Sequence, residues 1–398
     1  MAAADAEGRN QILDVAVDGR RIVVGWGDGH ESRFHAIWLR YNCECEACGA
    51  TTSGIRHLKL TDIPADIAPA SAAFDGAGRL ALAWPPDGHA TVYDAAWLRA
   101  HCYSGAERAR RRFAPRLWGP EIADALPEQD WDAVRGEAGH LRMLEQVRDY
   151  GFSVIRGAPA DTAATDAITD LVGVVRVTNY GSIYDFVAKP EPLVKGDTGA
   201  RLEPHTDEPY RHWPPAITFF HVIEASADAG GRSIVVDGFR VGEQLRAREP
   251  AAFDLLSRVP QPFHRLLDGE RDFRSSARIF SLDEGGAIAG FRLLDRATAP
   301  LDAPEDLIEP YFAALRALLE RLYDEAEQLL ITLTPGDVLI FNNQRVLHGR
   351  TAFDRVAGGR FIRSCHVDLD EFHSRLRMLQ RRLGRDEVDT VLPVGAAP

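Results

Sequence analysis

The chain has few cysteines and no long apolar run. Five cysteines in 398 residues are too few for a disulfide scaffold in a chain of this length, which favours a reducing compartment. No run of about 18 apolar residues occurs, and the N-terminal residues lack the basic and apolar segments of a signal peptide. We therefore expect a cytoplasmic protein with no membrane partner.

The chain is also short of positive charge. It carries 46 basic and 59 acidic side chains, for a formal net charge of -13. Extended contact with phosphate backbones requires a basic stripe, so nucleic acid is not an expected partner. Because 45% of residues are hydrophobic and 26% are charged, the composition is typical of a soluble globular protein with more than one domain.

Two segments of the N-terminal region repeat one pattern. DGHESRFHAIWLRYNC, residues 28–43, and DGHATVYDAAWLRAHC, residues 87–102, align without a gap. The apolar runs before each copy, together with Gly/Asp turns, are typical of strands and hairpins. We therefore predict a small β-rich domain over residues 1–110, followed by a proline-containing connector over residues 111–130.

The remaining residues, 131–398, combine strand-like and helical patterns. Strand-like runs begin at Ala216, Gly231, Thr334 and Gly359, and an amphipathic helix is predicted from Glu305. This order predicts a second domain that is mainly β with flanking helices, either a sandwich or a barrel. No Gly-rich nucleotide-binding pattern precedes a helix, which disfavours nucleotide-binding folds.

A candidate iron site lies in this second domain. His205 and Asp207 are two residues apart, so they share a face if the segment is extended. A second histidine would complete the two-histidine, one-carboxylate set that leaves three positions open on Fe(II). His348, which follows the strand-like run DVLIF, is the candidate.

Taken in order, the motifs resemble those of the γ-butyrobetaine hydroxylase group of the taurine dioxygenase superfamily. The matching pieces are WLRYNCECEAC, WP-x-x-x-H from Trp84 to His89, HTDEP, GGRSIVVDGF, PGDVLIFNNQRVLHGR and SRLRMLQRR. The resemblance implies a double-stranded β-helix (jelly-roll) catalytic domain, an N-terminal zinc-binding domain and a homodimer.

The resemblance also implies the chemistry. His205, Asp207 and His348 would be the catalytic iron ligands, and 2-oxoglutarate and O2 would be co-substrates. Arg360 would pair with the distal carboxylate of 2-oxoglutarate, since a guanidinium matches a carboxylate with two parallel hydrogen bonds. The reaction would hydroxylate an unactivated C–H bond and release succinate and CO2.

A second candidate metal site lies in the N-terminal repeat. Cys43, Cys45 and Cys48 supply three thiolates in one loop, and tetrahedral zinc requires a fourth ligand. On sequence alone, four side chains compete for that place: His30, His89, His101 and Cys102. The resemblance favours His89, and the closed site would hold structural zinc.

The expected substrate pocket departs from the family pattern. Tyr180 and Tyr184 match two positions of an aromatic cage that holds a quaternary ammonium through cation–π attraction. Lys195 and His366 stand near positions where further aromatic residues are expected. Glu208 could neutralise a cation directly. Arg292 or Arg296 could hold an anionic end of the substrate.

We therefore expect a hydroxylase of a small zwitterion, with γ-butyrobetaine (giving carnitine) or a related trimethylammonium compound as the nearest candidate. An amino acid, a primary-amine zwitterion or a phosphonate zwitterion is the alternative. The competing class is a non-enzymatic sensor of iron or a metabolite. A complete set of iron ligands together with a candidate co-substrate arginine argues against the sensor, and the acidic balance disfavours a nucleic-acid demethylase.

Overall fold

The computed structural model describes residues 8–49, 55–75, 78–187, 198–226, 230–354 and 360–385. The chain divides into two compact units, with the boundary between Arg112 and Phe113. Among the described residues, no helix combines the length and the apolar character needed to span a membrane.

The first unit contains two antiparallel three-stranded sheets, one for each copy of the sequence repeat. One sheet has the order β1 (Ile12–Asp18), β2 (Arg21–Trp26), β3 (Glu31–His35), and the other has the order β4 (Ser71–Phe74), β5 (Leu80–Trp84), β6 (His89–Tyr93). Equivalent short helices follow, α1 (Ala36–Tyr41) and α2 (Ala95–Ala100), and then α3 (Gly105–Arg110). A 3-10 turn spans Leu60–Asp62. Alternate strand residues of both copies, among them Trp26 and Trp84, are buried in one core.

The second unit is built on two larger sheets. The six-stranded sheet contains β7 (Glu128–Asp130), β8 (Phe152–Arg156), β9 (Ile183–Val187), β11 (Ile217–Glu224), β18 (Val338–Asn342) and β20 (Phe361–Val367), in the order β7-β8-β18-β11-β20-β9. The four-stranded sheet contains β10 (Leu202–His205), β12 (Ser233–Asp237), β17 (Leu329–Ile331) and β19 (Val346–Arg350), in the order β10-β19-β12-β17. Of these pairings, only β7 with β8 is parallel.

The two sheets pack face to face. Val235, Leu329 and Val346 of the four-stranded sheet share a buried cluster with Phe152 and Phe341 of the six-stranded sheet. Because side chains alternate between the faces of a strand, each sheet keeps a second face for other contacts. The candidate iron ligand His348 lies on the interior strand β19, and its ring is close to those of Phe220 and Phe341 in the six-stranded sheet.

Helices cover the other face of the six-stranded sheet. α4 (Trp131–Val134), α5 (Glu137–Tyr150), α6 (Ala164–Thr169) and α10 (Leu369–Arg382) contribute to one buried cluster with strands of that sheet. α5 ends where Gly151 adopts a left-handed conformation with φ 83°, which a glycine does without steric cost.

A third core lies among the remaining helices and two hairpins. It contains α7 (Gly238–Arg248), α8 (Pro250–Arg258) and α9 (Glu305–Tyr323), with β13 (Gln261–Leu267) paired to β14 (Arg271–Ala277) and β15 (Phe280–Leu282) paired to β16 (Ile288–Phe291). Three 3-10 turns span Pro120–Ala125, Asp295–Ala297 and Glu325–Glu327. The predicted sheet-rich architecture with flanking helices is confirmed, as is the helix from Glu305.

Candidate active site

His205 and His348, distant in sequence, are brought together by strand pairing. His205 ends β10 and is the direct cross-strand partner of His348 on β19. Their ring centroids lie 4.5 Å apart. Directly opposed residues of antiparallel strands have adjacent Cβ atoms, so the register itself places both imidazoles at one point.

Asp207 reaches the same point by a different route from the one expected. β10 ends at His205, so Asp207 is not held by strand pairing. Its backbone N–H instead donates to Asn343 Oδ1 at 2.7 Å, and Asn343 Nδ2 donates to the Asp207 carbonyl at 3.2 Å. The asparagine pair after DVLIF was the available sequence signal for this anchor, and its role was missed.

The three side chains fit an iron site. Asp207 Oδ1 lies 3.7 Å from His205 Nε2, and Asp207 Oδ2 lies 3.5 Å from His348 Nε2. One ligand atom from each residue falls within 4.8 Å of the others. His205 Nδ1 is 2.8 Å from the Glu203 carbonyl, to which it donates when Nε2 carries the lone pair. Two imidazoles and one carboxylate are the donor set of open non-haem Fe(II) sites.

Burial keeps both imidazoles neutral. It lowers the pKa of His205 to about 4, with repulsion from His348 adding to the effect. It lowers the pKa of His348 to about 3. Since a metal binds the unprotonated nitrogen, this environment prepares both rings as ligands at neutral pH.

A cavity of about 230 Å³ opens beside these side chains within the second unit. Its lining includes six of the residues that the sequence assigned to co-substrate or substrate binding: Tyr180, Tyr184, Glu208, Arg296, Arg360 and His366. Lys195 lies outside the described residues. The sequence-predicted positions therefore converge on one space next to the candidate metal centre.

Arg360 presents a partly buried positive charge to this cavity. Burial lowers its pKa to about 9, and the neighbouring Arg350 adds to the shift, so the guanidinium is still charged at neutral pH. Among the residues that the structure describes, no carboxylate forms an ion pair with it. A buried cation without a partner is costly unless an anion binds, so Arg360 suits a carboxylate ligand.

Aromatic rings line another side of the cavity. The rings of Tyr180 and Tyr184 meet edge to face with centroids 5.3 Å apart, and Tyr184 meets Phe186 in the same way at 4.7 Å. Tyr184 and Phe186 are two residues apart on β9 and so share a face. Phe186 was not singled out from the sequence, although the alternation in IYDFV marks it.

Glu208 lines the cavity but already has a cationic partner. Its Oε2 accepts a hydrogen bond from Arg211 Nε at 2.6 Å, and Arg211 also lies over the Phe273 ring at 4.6 Å. Burial raises the pKa of Glu208, and Arg211 opposes that rise. A substrate cation would have to compete with Arg211 for this carboxylate, so the neutralising role of Glu208 stays a prediction.

His366 stands in the cavity wall as a neutral imidazole. Its Nδ1 lies 3.0 Å from Thr218 Oγ1 on the neighbouring strand β11. Burial lowers its pKa to about 4. Unlike an aromatic carbocycle, this ring presents a polar nitrogen, whose role depends on which partner of the Thr218 contact donates.

Two arginines could hold an anionic substrate group. Arg296 lines the cavity, and Arg265 on β13 lines it too, although the sequence did not single it out. Arg292, the other sequence candidate, is buried and donates to the Arg211 carbonyl at 3.5 Å. It is not among the lining residues, so Arg296 is the better placed of the two.

In the first unit, Cys43, Cys45 and Cys48 surround His89. Their Sγ atoms lie 3.4, 3.6 and 3.5 Å from His89 Nε2. Ligand bonds of about 2.3 Å for sulfur and about 2.0 Å for nitrogen give tetrahedral edges of roughly 3.5 Å. The four side chains thus fit zinc with no open position, and His30, His101 and Cys102 are not part of this group.

Comparison with known proteins identifies the family. Residues 110–366 match the family described as taurine catabolism dioxygenase TauD, TfdA family, and residues 13–99 match the family described as γ-butyrobetaine hydroxylase-like, N-terminal. The chain belongs to the TauD/TfdA dioxygenase family. This membership confirms the predicted enzyme class, a dioxygenase that uses iron and 2-oxoglutarate, and argues against a non-enzymatic sensor.

Relatives of this dioxygenase share nearly its whole length. A γ-butyrobetaine dioxygenase of Pseudomonas sp. (strain AK-1) is 34% identical over 90% of this chain and 94% of its own. A trimethyllysine dioxygenase of Meyerozyma guilliermondii is 28% identical over 95% of this chain and 98% of its own.

Among solved structures, an asparagine oxygenase with Fe(II), 3-hydroxyasparagine and succinate is 19% identical to this chain. The match has a TM-score of 0.47 and covers 58% of this chain and 79% of the asparagine oxygenase.

Proposed function

We propose that this dioxygenase hydroxylates an unactivated C–H bond of a small zwitterion, with γ-butyrobetaine or a related trimethylammonium compound as substrate. The observation that carries the proposal is the placement of His205, Asp207 and His348 at a cavity that also holds the Arg360 guanidinium, which pairs with no carboxylate among the described residues. The two relatives named for γ-butyrobetaine and trimethyllysine support the substrate class.

Different neighbouring residues surround the ligands that would bind iron. His205 and His348 would bind iron through Nε2, and Asp207 would bind it through its carboxylate, held in place by Asn343. When bound together with 2-oxoglutarate and O2, iron supplies the oxidising chemistry. Phe220 and Phe341, whose rings lie 5.2 and 4.8 Å from that of His348, keep water from one side of the ligand.

Arg360 would bind the distal carboxylate of 2-oxoglutarate. Its fork of N–H groups can donate two parallel hydrogen bonds to a carboxylate, and low exposure strengthens them. The co-substrate would thereby be oriented before the reaction, which is the main contribution a protein makes when the metal performs the chemistry.

The two ends of a zwitterion would meet different walls. The faces of Tyr180, Tyr184 and Phe186 suit a quaternary ammonium, which cannot donate hydrogen bonds and is held by aromatic rings. Arg296 and Arg265 suit the carboxylate at the other end. Because each wall would bind a different end of the substrate, the two walls together would fix which carbon faces the metal.

A primary-amine or amino-acid zwitterion is the second candidate, and His366 is the observation that favours it. A neutral imidazole in the wall can accept a hydrogen bond from an N–H group when Nε2 carries the lone pair. A trimethylammonium group has no such donor, so only a substrate with N–H groups would use this contact.

Product analysis distinguishes the two candidates. The purified full chain would be incubated with Fe(II), 2-oxoglutarate and O2, and with γ-butyrobetaine, trimethyllysine, or the primary-amine counterpart of each. We expect a trimethylammonium compound to gain one oxygen atom, detected by mass spectrometry. Preference for the primary amines would assign the pocket to the second candidate. If none of the four compounds gave a hydroxylated product, the proposed zwitterion class would be contradicted.

The same substrates test whether the aromatic residues of the cavity bind the trimethylammonium group. Tyr184→Leu should raise KM for γ-butyrobetaine by about tenfold, since cation–π contacts are worth about 1–2 kcal/mol when shielded from water. Phe312→Leu is the control, because Phe312 is an exposed residue of α9 outside the cavity lining. An unchanged KM in the Tyr184 variant would remove this residue from the substrate site.

We also infer the finer architecture that the resemblance predicts. Residues 1–110 would form a zinc-binding domain, residues 111–130 a connector, and residues 131–398 a double-stranded β-helix catalytic domain. The cluster of Cys43, Cys45, Cys48 and His89 and the packed sheets of the second unit support this division. The homodimer and the cytoplasmic location stay predictions, which light scattering of the purified protein and cell fractionation would test.

A further inference from the structure

The sequence repeat places a second set of side chains at positions equivalent to the zinc ligands. Cys102 of the second copy corresponds to Cys43, and His30 of the first copy corresponds to His89. Continuing the same alignment beyond the repeated segments sets Ser104 against Cys45 and Glu107 against Cys48. Two of the four ligand types are therefore retained, and two are replaced.

The two sets also share part of their geometry. His30 Nε2 lies 3.6 Å from Cys102 Sγ and 3.4 Å from Ser104 Oγ, close to the separations around His89. In both sets the histidine comes from one copy of the repeat and the cysteine from the other. The backbone N–H of His30 donates to Asp28 at 3.1 Å, and that of His89 donates to Asp87 at the same distance.

Equivalent hydrogen bonds support both cysteines. Trp84 Nε1 donates to Thr91 Oγ1 at 2.9 Å, and that hydroxyl donates to Cys43 Sγ at 3.3 Å. In the other set, Trp26 Nε1 donates to Ser32 Oγ at 2.8 Å, and Ser32 Oγ donates to Cys102 Sγ at 3.0 Å. In each set, two successive hydrogen bonds therefore connect a tryptophan to the cysteine through a hydroxyl group.

One of the two replaced positions, Glu107, carries a charge. Glu107, almost fully buried, accepts hydrogen bonds from Arg9 at 2.7 Å and from Arg99 at 2.9 Å. Arg99 also pairs with Asp28 at 2.7 Å. Its counterpart in the first copy, Arg40, donates to Cys48 Sγ at 3.2 Å. The same arginine position therefore contacts a thiolate in one set and a carboxylate in the other.

We propose that the set formed by His30, Cys102, Ser104 and Glu107 is a metal site converted into a metal-free ion cluster. Arginine–glutamate pairs here make the cross-links that zinc makes in the other set, and thiolates at positions 104 and 107 would restore metal binding. A serine hydroxyl is not among the usual zinc ligands, and the Glu107 carboxylate is held by arginines. The inference rests on the proposed zinc site at Cys43.

The test is cobalt substitution in the full chain, read as the near-ultraviolet thiolate-to-Co(II) absorption. The iron site contains no thiolate and does not contribute to this signal. Relative to the wild type, Ser104→Cys/Glu107→Cys should show about twice the absorption at saturation, because a second site with three thiolates is created. The matched control Ser104→Ala/Glu107→Ala should show the wild-type signal.

A second measurement does not depend on the folding of the engineered variant. In the natural background, Cys102→Ser should leave the absorption unchanged, whereas Cys43→Ser should remove most of it. Loss of signal in Cys102→Ser would show that the second set binds metal and would overturn the inference. A folded double-cysteine variant with only the wild-type signal would also overturn it. Absence of any thiolate absorption in the wild type would instead contradict the zinc site itself.

Discussion

Arg360 is the single side chain on which binding of 2-oxoglutarate is expected to depend. Arg360→Ala should raise the 2-oxoglutarate concentration for half-maximal rate by about 10- to 100-fold, since hydrogen bonds to charged groups contribute about 1.5–3 kcal/mol. Steady-state kinetics with varied 2-oxoglutarate measures this change, and kcat should fall less than the affinity.

A nearby arginine provides the control for that experiment. Arg363, on β20, donates to Asp185 Oδ1 at 3.0 Å and does not line the cavity. Arg363→Ala should therefore leave the 2-oxoglutarate dependence unchanged. If the Arg363 variant lost affinity while the Arg360 variant kept it, the co-substrate site would have to be reassigned.

His366 should make folding stability depend on pH. Unfolded, its pKa is about 6.5, whereas in the folded protein burial lowers the pKa to about 4. The unfolded state binds more protons between these values, so the free energy of unfolding falls as the pH drops from about 6.5 towards 4. At pH 5 the loss from this residue is on the order of 2 kcal/mol relative to pH 7.5.

Urea denaturation at pH 5 and pH 7.5 isolates this contribution when the wild type is compared with His366→Phe. The variant should lose less stability between the two pH values, whatever its absolute stability. The other buried histidines are present in both proteins, so most of their contribution cancels. The same pH dependence in both proteins would mean that His366 is not buried in its neutral form.

At the residue scale, the sequence predicted which side chains meet at the candidate metal centre better than it predicted the contacts around each of them. That His205 and His348 lie together was predictable, because metal chemistry restricts the residue types and the motif context marks both histidines. The anchoring of Asp207 by Asn343 and the pairing of Glu208 with Arg211 were not, since these contacts depend on side-chain orientation at the end of a strand.

At the element scale, the cysteine loop after α1 should stabilise the first unit through zinc. Cys45→Ser should lose about one zinc per chain and lower the unfolding temperature of that unit, because binding energy at a closed metal site is also folding energy. Metal analysis and calorimetry measure both effects. Glu46→Gln is the matched control, since Glu46 is exposed in the same loop; full zinc content in the Cys45 variant would contradict the site.

Strand periodicity and helix amphipathicity made most elements predictable. The runs beginning at Ala216, Gly231, Thr334 and Gly359 correspond to β11, β12, β18 and β20. The register that pairs His205 with His348 was not predictable, because strand order within a sheet depends on long-range packing rather than on local pattern.

At the scale of the whole molecule, the two metal centres should differ in how they release their ions. The iron site leaves three positions open, whereas the zinc site is closed by four protein ligands. A mild chelator should therefore remove activity before zinc, and added Fe(II) alone should restore turnover. Parallel measurements of zinc content and rate test this order, and recovery that requires added zinc would contradict it.

The charge and composition of the whole chain disfavoured one class of partner but did not select a substrate. Acidic balance argued against nucleic acid, while the choice between trimethylammonium and primary-amine zwitterions depends on a few side chains in one cavity. In the proposed site, His366 would favour a substrate with N–H groups and Tyr184 a trimethylammonium group, a difference that composition cannot report.

Succinate release is the most direct measurement of the central claim. The purified chain, supplied with Fe(II), 2-oxoglutarate and O2, should form succinate, and γ-butyrobetaine should increase the rate. His348→Ala should abolish release, whereas His264→Ala, on the exposed part of β13, should not. Succinate formation that persists undiminished in His348→Ala, or its absence from the iron-loaded wild type with all four zwitterions, would contradict the account.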